Sequence, residues 1–312
     1  MSATSLKSNE TSIEFQGVTY RINGTRAPEG SATRQQEGTP EKDPAVAGRR
    51  DGLESAAGAQ RALVRDVSLA IREAETLVLL GRSGGGKTTL LRLINRMLEP
   101  TSGRVLVAGR ATTDWDPFAL RRGIGYVIQE AGLFPHFTVA ENIALVPTLE
   151  HWDAGRIAAR VQELLQLVGL GGGDFASRYP RQLSGGQRQR VGVARALAAD
   201  PRILLMDEPF GALDPVTRAE LQREFKALAR RLGKTIVFVT HDLREALLLA
   251  TRIVLLENGK IVAQGTPQNF LQQEHPEVRA FASCLDTEDA ASKNAARGPA
   301  EDSAPRRDGE TA

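Results

Sequence analysis

The run Thr76-Leu-Val-Leu-Leu80-Gly81-Arg-Ser-Gly-Gly-Gly-Lys87-Thr88-Thr89 decides the fold class. Its first five residues form the short, mostly apolar block that a fully buried strand carries. Glycines follow at once. Beyond them Leu90, Leu91, Leu93, Ile94 and Met97 recur at helical spacing, which predicts a helix over Leu90–Leu98. Strand, glycine-rich turn and helix in that order match the phosphate-loop pattern G-x-x-x-x-G-K-S/T from Gly81 to Thr88. Glycines let backbone N–H groups approach phosphate oxygens that side chains would hold off, and a helix start adds partial positive charge. Gly81, Arg82, Ser83, Gly84, Gly85, Gly86, Lys87, Thr88 and Thr89 are the expected phosphate contacts. Lys87 would reach the β- and γ-phosphates of ATP, and the Thr88 hydroxyl would ligate Mg²⁺. The plainer alternative is a strand-to-helix turn with no ligand.

Working outward, Ser12–Ile22 and Leu63–Ile71 alternate as strands do. Residues 23–60 between them are rich in Gly, Pro, Ala, Ser and mixed charge, with almost nothing large to bury, and read as a disordered insertion. Residues 1–11 and 284–312 read the same way, leaving 12–283 as one folded unit. Short strands are expected at Arg104–Val107, Gly125–Ile128, Ile203–Met206, Ile236–Val239 and Ile253–Glu257. Helical patterns cover Val139–Val168, Gln187–Ala199, Thr217–Leu232 and Arg244–Ala250. Alternation of this kind predicts an α/β fold with a mostly parallel sheet covered on both faces.

Two further stretches carry chemistry. Ile203-Leu-Leu-Met-Asp207-Glu208 delivers two carboxylates to the C-terminal end of a buried strand, where open α/β sheets bind ligands. Asp207 suits a Mg²⁺ shell, and Glu208 could polarise an attacking water. Alone, such a pair is more often a solvated loop or a helix cap; beside a phosphate loop the metal reading gains. Leu183-Ser184-Gly185-Gly186-Gln187 opens a helix and makes a second anion-binding terminus, or simply a Ser-capped start. One nucleotide does not readily fill two such sites far apart in a chain, so the second is expected to serve a nucleotide held by another copy.

Together, the phosphate loop, LSGGQ and the Asp-Glu pair resemble the ATP-binding subunits of ABC transporters, over roughly residues 12–22 and 61–283. The resemblance implies a P-loop NTPase (RecA-like) cassette with an antiparallel β subdomain and an inserted α-helical subdomain, about residues 133–183. It implies a homodimer sandwiching two ATP molecules, each between one phosphate loop and the partner's LSGGQ. Ser184, Gly185, Gly186 and Gln187 would then face the partner's γ-phosphate. Gln129 matches the glutamine near metal and attacking water, His241 the switch histidine on the γ-phosphate, and Asp214 the loop that crosses the dimer interface. Gly125–Pro147, Leu93–Gly103 and Tyr179–Gly186 are similar to importers of quaternary amines and related osmoprotectants such as glycine betaine. This implies integral membrane permease subunits docked near Leu133–Phe137, a solute-binding protein acting indirectly, and a place on the cytoplasmic face of the plasma membrane. An importer of amino acids or other small solutes, or a non-transport ABC ATPase, stays open at this point.

Three positions depart from the family pattern. The aromatic residue that stacks on adenine should fall at Ile22, leaving Tyr20, one pleat earlier, as the nearby substitute and implying weak adenine discrimination. Ala74 stands where glycine is usual, and Arg82 replaces a proline and is expected to be solvated.

Composition sets the outer bounds. The 312 residues are 41% hydrophobic and 5% aromatic, and 40 Lys and Arg against 38 Asp and Glu give a net charge of +2. Such a balance argues against a nucleic-acid partner, which a concentrated basic stripe would mark. Apolar runs are far shorter than the roughly 20 residues of a membrane-spanning helix. The first ten residues lack the apolar stretch of a secretory signal. The single cysteine, Cys284, fits a reducing compartment and reads as an inert thiol, and no zinc-type spacing occurs.

Overall fold

The computed structural model describes residues 10–22, 60–283 and 285. The insertion, the tail beyond these residues and Cys284 lie outside the described residues, as does the N-terminal segment up to residue 9. Thr11, expected to be part of a disordered end, is instead the first residue of a strand.

Two sheets form the frame. Strands β1 (Thr11–Ile22) and β2 (Arg61–Arg72) are antiparallel, and β3 (Thr76–Leu80) leads into helix α1 (Lys87–Ile94). Next come β4 (Ser102–Val107), β5 (Arg110–Ala111), α2 (Pro117–Arg122) and β6 (Ile124–Val127). Helices α3 (Val139–Leu149), α4 (Ala154–Leu167) and α5 (Gly185–Leu197) precede β7 (Ile203–Asp207), α6 (Pro215–Leu232) and β8 (Thr235–Thr240). The order closes with α7 (Leu243–Leu249), β9 (Arg252–Glu257), β10 (Lys260–Gly265) and α8 (Pro267–Leu271), then a helical segment, 276–283. The smaller sheet runs β2-β1-β4-β5 and is antiparallel throughout. The larger runs β10-β9-β3-β8-β7-β6, parallel except for its antiparallel edge strand β10.

Every residue of β3 and of β8 is buried, as expected for strands covered on both faces. Leu90, Leu91, Leu93 and Ile94 of α1 are fully buried because that helix touches β2 and β4 on one side and β7 and β8 on the other. A second core on the opposite face joins α3–α7 to the sheet through residues such as Ile143, Leu164, Val191 and Phe238. Among the described residues no helix is long and apolar enough to cross a membrane.

Several expected boundaries move for local reasons. The helix expected to reach Leu98 stops at Ile94, where the Asn95 N–H bonds back to the Leu91 and Leu93 carbonyls, and Met97 is left exposed. The single helical pattern over Val139–Val168 is two helices, because Asp153 caps a fresh start by accepting from the Arg156 N–H. Helices α2 and α8 and strand β5 are too short for periodicity to reveal, and β10, KIVAQG, carries too few large apolar residues to stand out.

Candidate nucleotide site at the strand ends

The parallel register brings distant residues to one end of the larger sheet. Leu80 pairs with Thr240 and Asp207 with Val239, so the loops after β3, β7 and β8 start side by side. The phosphate loop follows β3 immediately. A Cβ at Gly81 would stand 2.4 Å from the Leu256 carbonyl oxygen, and one at Gly86, where φ is 97°, 2.5 Å from that of Leu63. Close backbone approach and positive φ both require glycine there.

Lys87 curls back into its own loop. Its Nζ donates to the carbonyls of Gly81 at 2.7 Å and Arg82 at 3.0 Å and lies 4.0 Å from Glu208 Oε1. Burial pushes the ammonium pKa down, and the nearby Glu208 and Asp207 charges oppose that shift. Thr88 Oγ1 donates to Asp207 Oδ1 at 2.9 Å, joining residues 119 apart in sequence. Burial raises the Asp207 pKa, and the Thr88 hydrogen bond counteracts part of that rise. Glu208 adopts φ 44°, a left-handed conformation that costs a non-glycine residue about 1–2 kcal/mol. Its N–H donates to the Val239 carbonyl at 3.1 Å, and its Oε2 lies 3.0 Å from His241 Nδ1. Glu208 is one of several described non-glycine residues with positive φ, and it stands where the three strand ends converge.

Lys87, Thr88, Asp207, Glu208 and His241 thus form one linked cluster. The donor set of hydroxyl and carboxylate oxygens fits Mg²⁺, which takes one or two carboxylates and leaves its other positions to water and phosphate. No group of three or more His, Cys, Asp or Glu that could hold a metal ion occurs among the described residues.

Gln129 is exposed, two residues beyond Val127, the last paired residue of β6, just as Glu208 is two beyond Val127's partner Met206. Ser184 caps α5 and exchanges hydrogen bonds with Gln187, at 3.2 Å and 2.9 Å. Gly185 and Gly186 are the first residues of that helix, as a Ser184-capped start requires, so the helix begins two residues before the expected Gln187. Asp214 caps α6 through the Thr217 N–H, which lowers its pKa. Neither cap joins the strand-end cluster through a hydrogen bond of its own. Tyr20 pairs with Val64 and packs half-buried on the core, whereas Ile22 is 37% exposed. A register irregularity between Tyr20 and Arg21 breaks the simple pleat and separates the two environments.

Arg82 is exposed yet not merely solvated: its Nε donates to Glu277 Oε2 at 3.1 Å, tying the loop to segment 276–283. A cavity of about 370 Å³ beside it is lined by Ser83, His241 and Phe281. Ala74 does sit in a left-handed conformation, φ 56°, so the missing glycine carries a strain cost.

Sequence reading overlooked three supporting side chains. Tyr126, on β6, directs its hydroxyl to Asp207 Oδ2 at 3.5 Å, and burial beside that carboxylate pushes its pKa up to about 12. Arg195 donates to the carbonyls of Ala131 and Gly132, both at 2.8 Å, shaping the segment after Gln129. Asn142 is fully buried and bonds to Phe134, Phe137 and Thr138, holding the turn that carries the expected docking segment. A lone Asn inside an apolar helix was the available signal, because buried amides are rarely left unsatisfied.

The family model for "ABC transporter" matches residues 64–211. A glycine betaine uptake system ATP-binding protein of Escherichia coli (strain K12) is 55% identical over 214 residues, covering 69% of this chain and 69% of the relative. A glycine betaine/carnitine/choline transport ATP-binding protein of Bacillus subtilis (strain 168) is 54% identical over 209 residues, covering 67% of this chain. The match takes in 55% of that relative, so the chain spans little more than half its length. Among solved structures, a dimeric ATP-binding cassette in a post-hydrolysis state with ADP and Pi is 31% identical with a TM-score of 0.63, covering 82% of this chain and 98% of that one.

Proposed function

The chain belongs to the ABC transporter ATP-binding family, and from that premise we propose that it hydrolyses ATP to drive a small-solute importer. The observation that carries this reading is the linked cluster of Lys87, Thr88, Asp207, Glu208 and His241 at the strand ends. The cargo we infer is a quaternary amine or related osmoprotectant such as glycine betaine, the class that the relatives' names give.

The phosphates of ATP lie along Gly81–Thr89, whose backbone N–H groups and Lys87 balance their charge. Exchanging two backbone carbonyls for phosphate oxygens lets Lys87 meet anions without further desolvation, since it is already buried. Thr88, Asp207 and Gln129 would hold Mg²⁺, which when bound neutralises charge on the phosphates. Glu208 orients water in line with the γ-phosphorus and accepts its proton as the bond to the β–γ bridging oxygen breaks, giving ADP and phosphate. His241, 3.0 Å from Glu208, fixes that carboxylate and faces the γ-phosphate. Preorganised groups of this kind supply most of what phosphoryl transfer needs.

Ser184, Gly185, Gly186 and Gln187 contact the γ-phosphate held by a second copy, and Asp214 crosses the same interface. ATP binding closes this dimer, and hydrolysis reopens it. The helical unit at 133–183 docks on membrane permease subunits through the turn that Asn142 holds, which places the chain at the cytoplasmic face of the membrane. A solute-binding protein delivers the cargo from the other side. Tyr20 offers the base an incomplete platform, and adenine is weakly discriminated.

The test uses the full chain and Glu208→Gln. Turnover of ATP should fall by about 10²–10⁴-fold in the variant, while ATP drives it into a stable dimer on gel filtration. Undiminished turnover in the variant would remove Glu208 from this role. Uptake of labelled glycine betaine by vesicles holding the chain with its permease and binding protein checks the cargo, and uptake of an unrelated solute alone would reject it.

A further inference from the structure

A cleft of about 660 Å³ opens away from the strand-end cluster, between α4, the end of α5 and the turn from α6 to β8. That size is typical of small-molecule pockets. Its floor is apolar, built from Leu167, Leu197 and Leu232. Its walls carry Arg156, Arg160, Arg231 and Lys234 against Glu163 and Asp200, four cations to two anions.

Both carboxylates are already engaged. Arg160 donates to Glu163 at 2.8 Å and lies 3.9 Å from Asp200, and it also caps the end of α5 through the carbonyls of Leu197 and Ala198. Lys234 bonds Asp200 at 2.7 Å. The excess positive charge therefore falls on Arg156 and Arg231, which pair with no carboxylate among the described residues. Arg156 is also preorganised: its guanidinium carbon sits 3.4 Å from the centroid of the Trp152 ring. A guanidinium stacked on a ring keeps its in-plane N–H fork open to an oxyanion and has little orientational freedom left to lose.

We propose that this cleft binds a small organic oxyanion, with its phosphate or carboxylate group held by Arg156 and Arg231 and its apolar body on the leucine floor. A charged group and a carbon body are both required, because the walls alone would hold a hydrated ion and the floor alone an oil. Such a ligand spans α4 and α6, and ties the two elements together at a place distinct from the nucleotide site.

The sequence has only two tryptophans, so Trp115→Phe leaves Trp152 as the single indole reporter at the cleft. This chain is titrated with phenyl phosphate, benzoate and phenol while Trp152 emission is followed. A saturable change is expected with phenyl phosphate or benzoate and not with phenol, and the tighter of the two identifies the anion. Adding Arg231→Ala, which leaves the Arg156–Trp152 stack in place, should weaken binding about tenfold, as loss of one charge-assisted contact does. Adding Lys87→Ala instead should leave the titration unchanged. The proposal is overturned if neither anion gives saturation or phenol binds as well as they do. It is equally overturned if Arg231→Ala leaves the affinity unchanged or if the response disappears with Lys87→Ala, which would place the anion in the phosphate loop.

Discussion

The phosphate loop and the LSGGQ helix start are both glycine-rich helix N-termini, yet the fold treats them differently. At the first, polar groups reach across the chain: Thr88 to Asp207, Lys87 toward Glu208, Glu208 to His241. At the second, Ser184 and Gln187 satisfy each other three residues apart. The first terminus is a site assembled within one chain by parallel strand register. The second is a capped helix, complete as structure, and in the proposed function its chemistry waits on a second copy. Similar local composition thus yields a long-range cluster and a self-satisfied cap, and the proposed function has two copies facing each other bring the two together.

The sharpest way to break that contrast is Lys87→Ala. If the strand-end cluster holds the phosphates, the change should abolish measurable ATP binding and lower turnover by about 10²-fold or more, a loss typical of removing a preorganised charge partner. Nucleotide binding by fluorescence and phosphate release check it. Gly185→Asp should cut turnover comparably yet leave ATP binding by the single chain intact. A Cβ there meets nothing nearer than Leu213 Cδ2 at 3.4 Å, with Arg188 Nη2 at 3.9 Å, so the helix can accept the side chain while a carboxylate repels the partner's γ-phosphate. Lost binding in that variant would merge the two regions into one site and end the comparison.

Smaller effects probe what flanks the cluster. Comparable ATP and GTP affinities, both weakened several-fold by Tyr20→Ala, are expected from an incomplete base platform, since stacking on an aromatic ring is worth about 1–3 kcal/mol. A strong ATP preference untouched by the change would place adenine elsewhere. Ala74→Gly, at the far end of β3 from the phosphate loop, should stabilise the fold by about 1 kcal/mol by relieving positive φ. Denaturant midpoints should rise while turnover stays constant; an altered turnover would show that strain at one end of the strand reaches the other.

The phosphate loop, the Asp-Glu pair and the LSGGQ cap were legible because each is a short motif whose chemistry lies in neighbouring residues. Tyr126, Arg195 and Asn142 were not. Tyr126 and Arg195 act on residues brought near by folding, as when Arg195 binds carbonyls 63 and 64 positions away, and no local pattern marks such a partner, whereas Asn142 serves the backbone of its own turn and was marked only by its place in an apolar helix. Arg82 was legible as an oddity but not as one half of an ion pair, because Glu277 is 195 residues distant.

By itself, the sequence determined the strand-loop-helix chemistry, the alternation that makes the sheet parallel, and the glycines without which the loop could not close on Leu63 and Leu256. Only the tertiary structure decided which carboxylate meets Thr88 and which histidine meets Glu208. The physical reason is range. Periodicity, caps and backbone freedom act over a few residues, whereas the site's distances are set by strand register between segments 33 residues apart for Glu208 and His241 and 119 apart for Thr88 and Asp207.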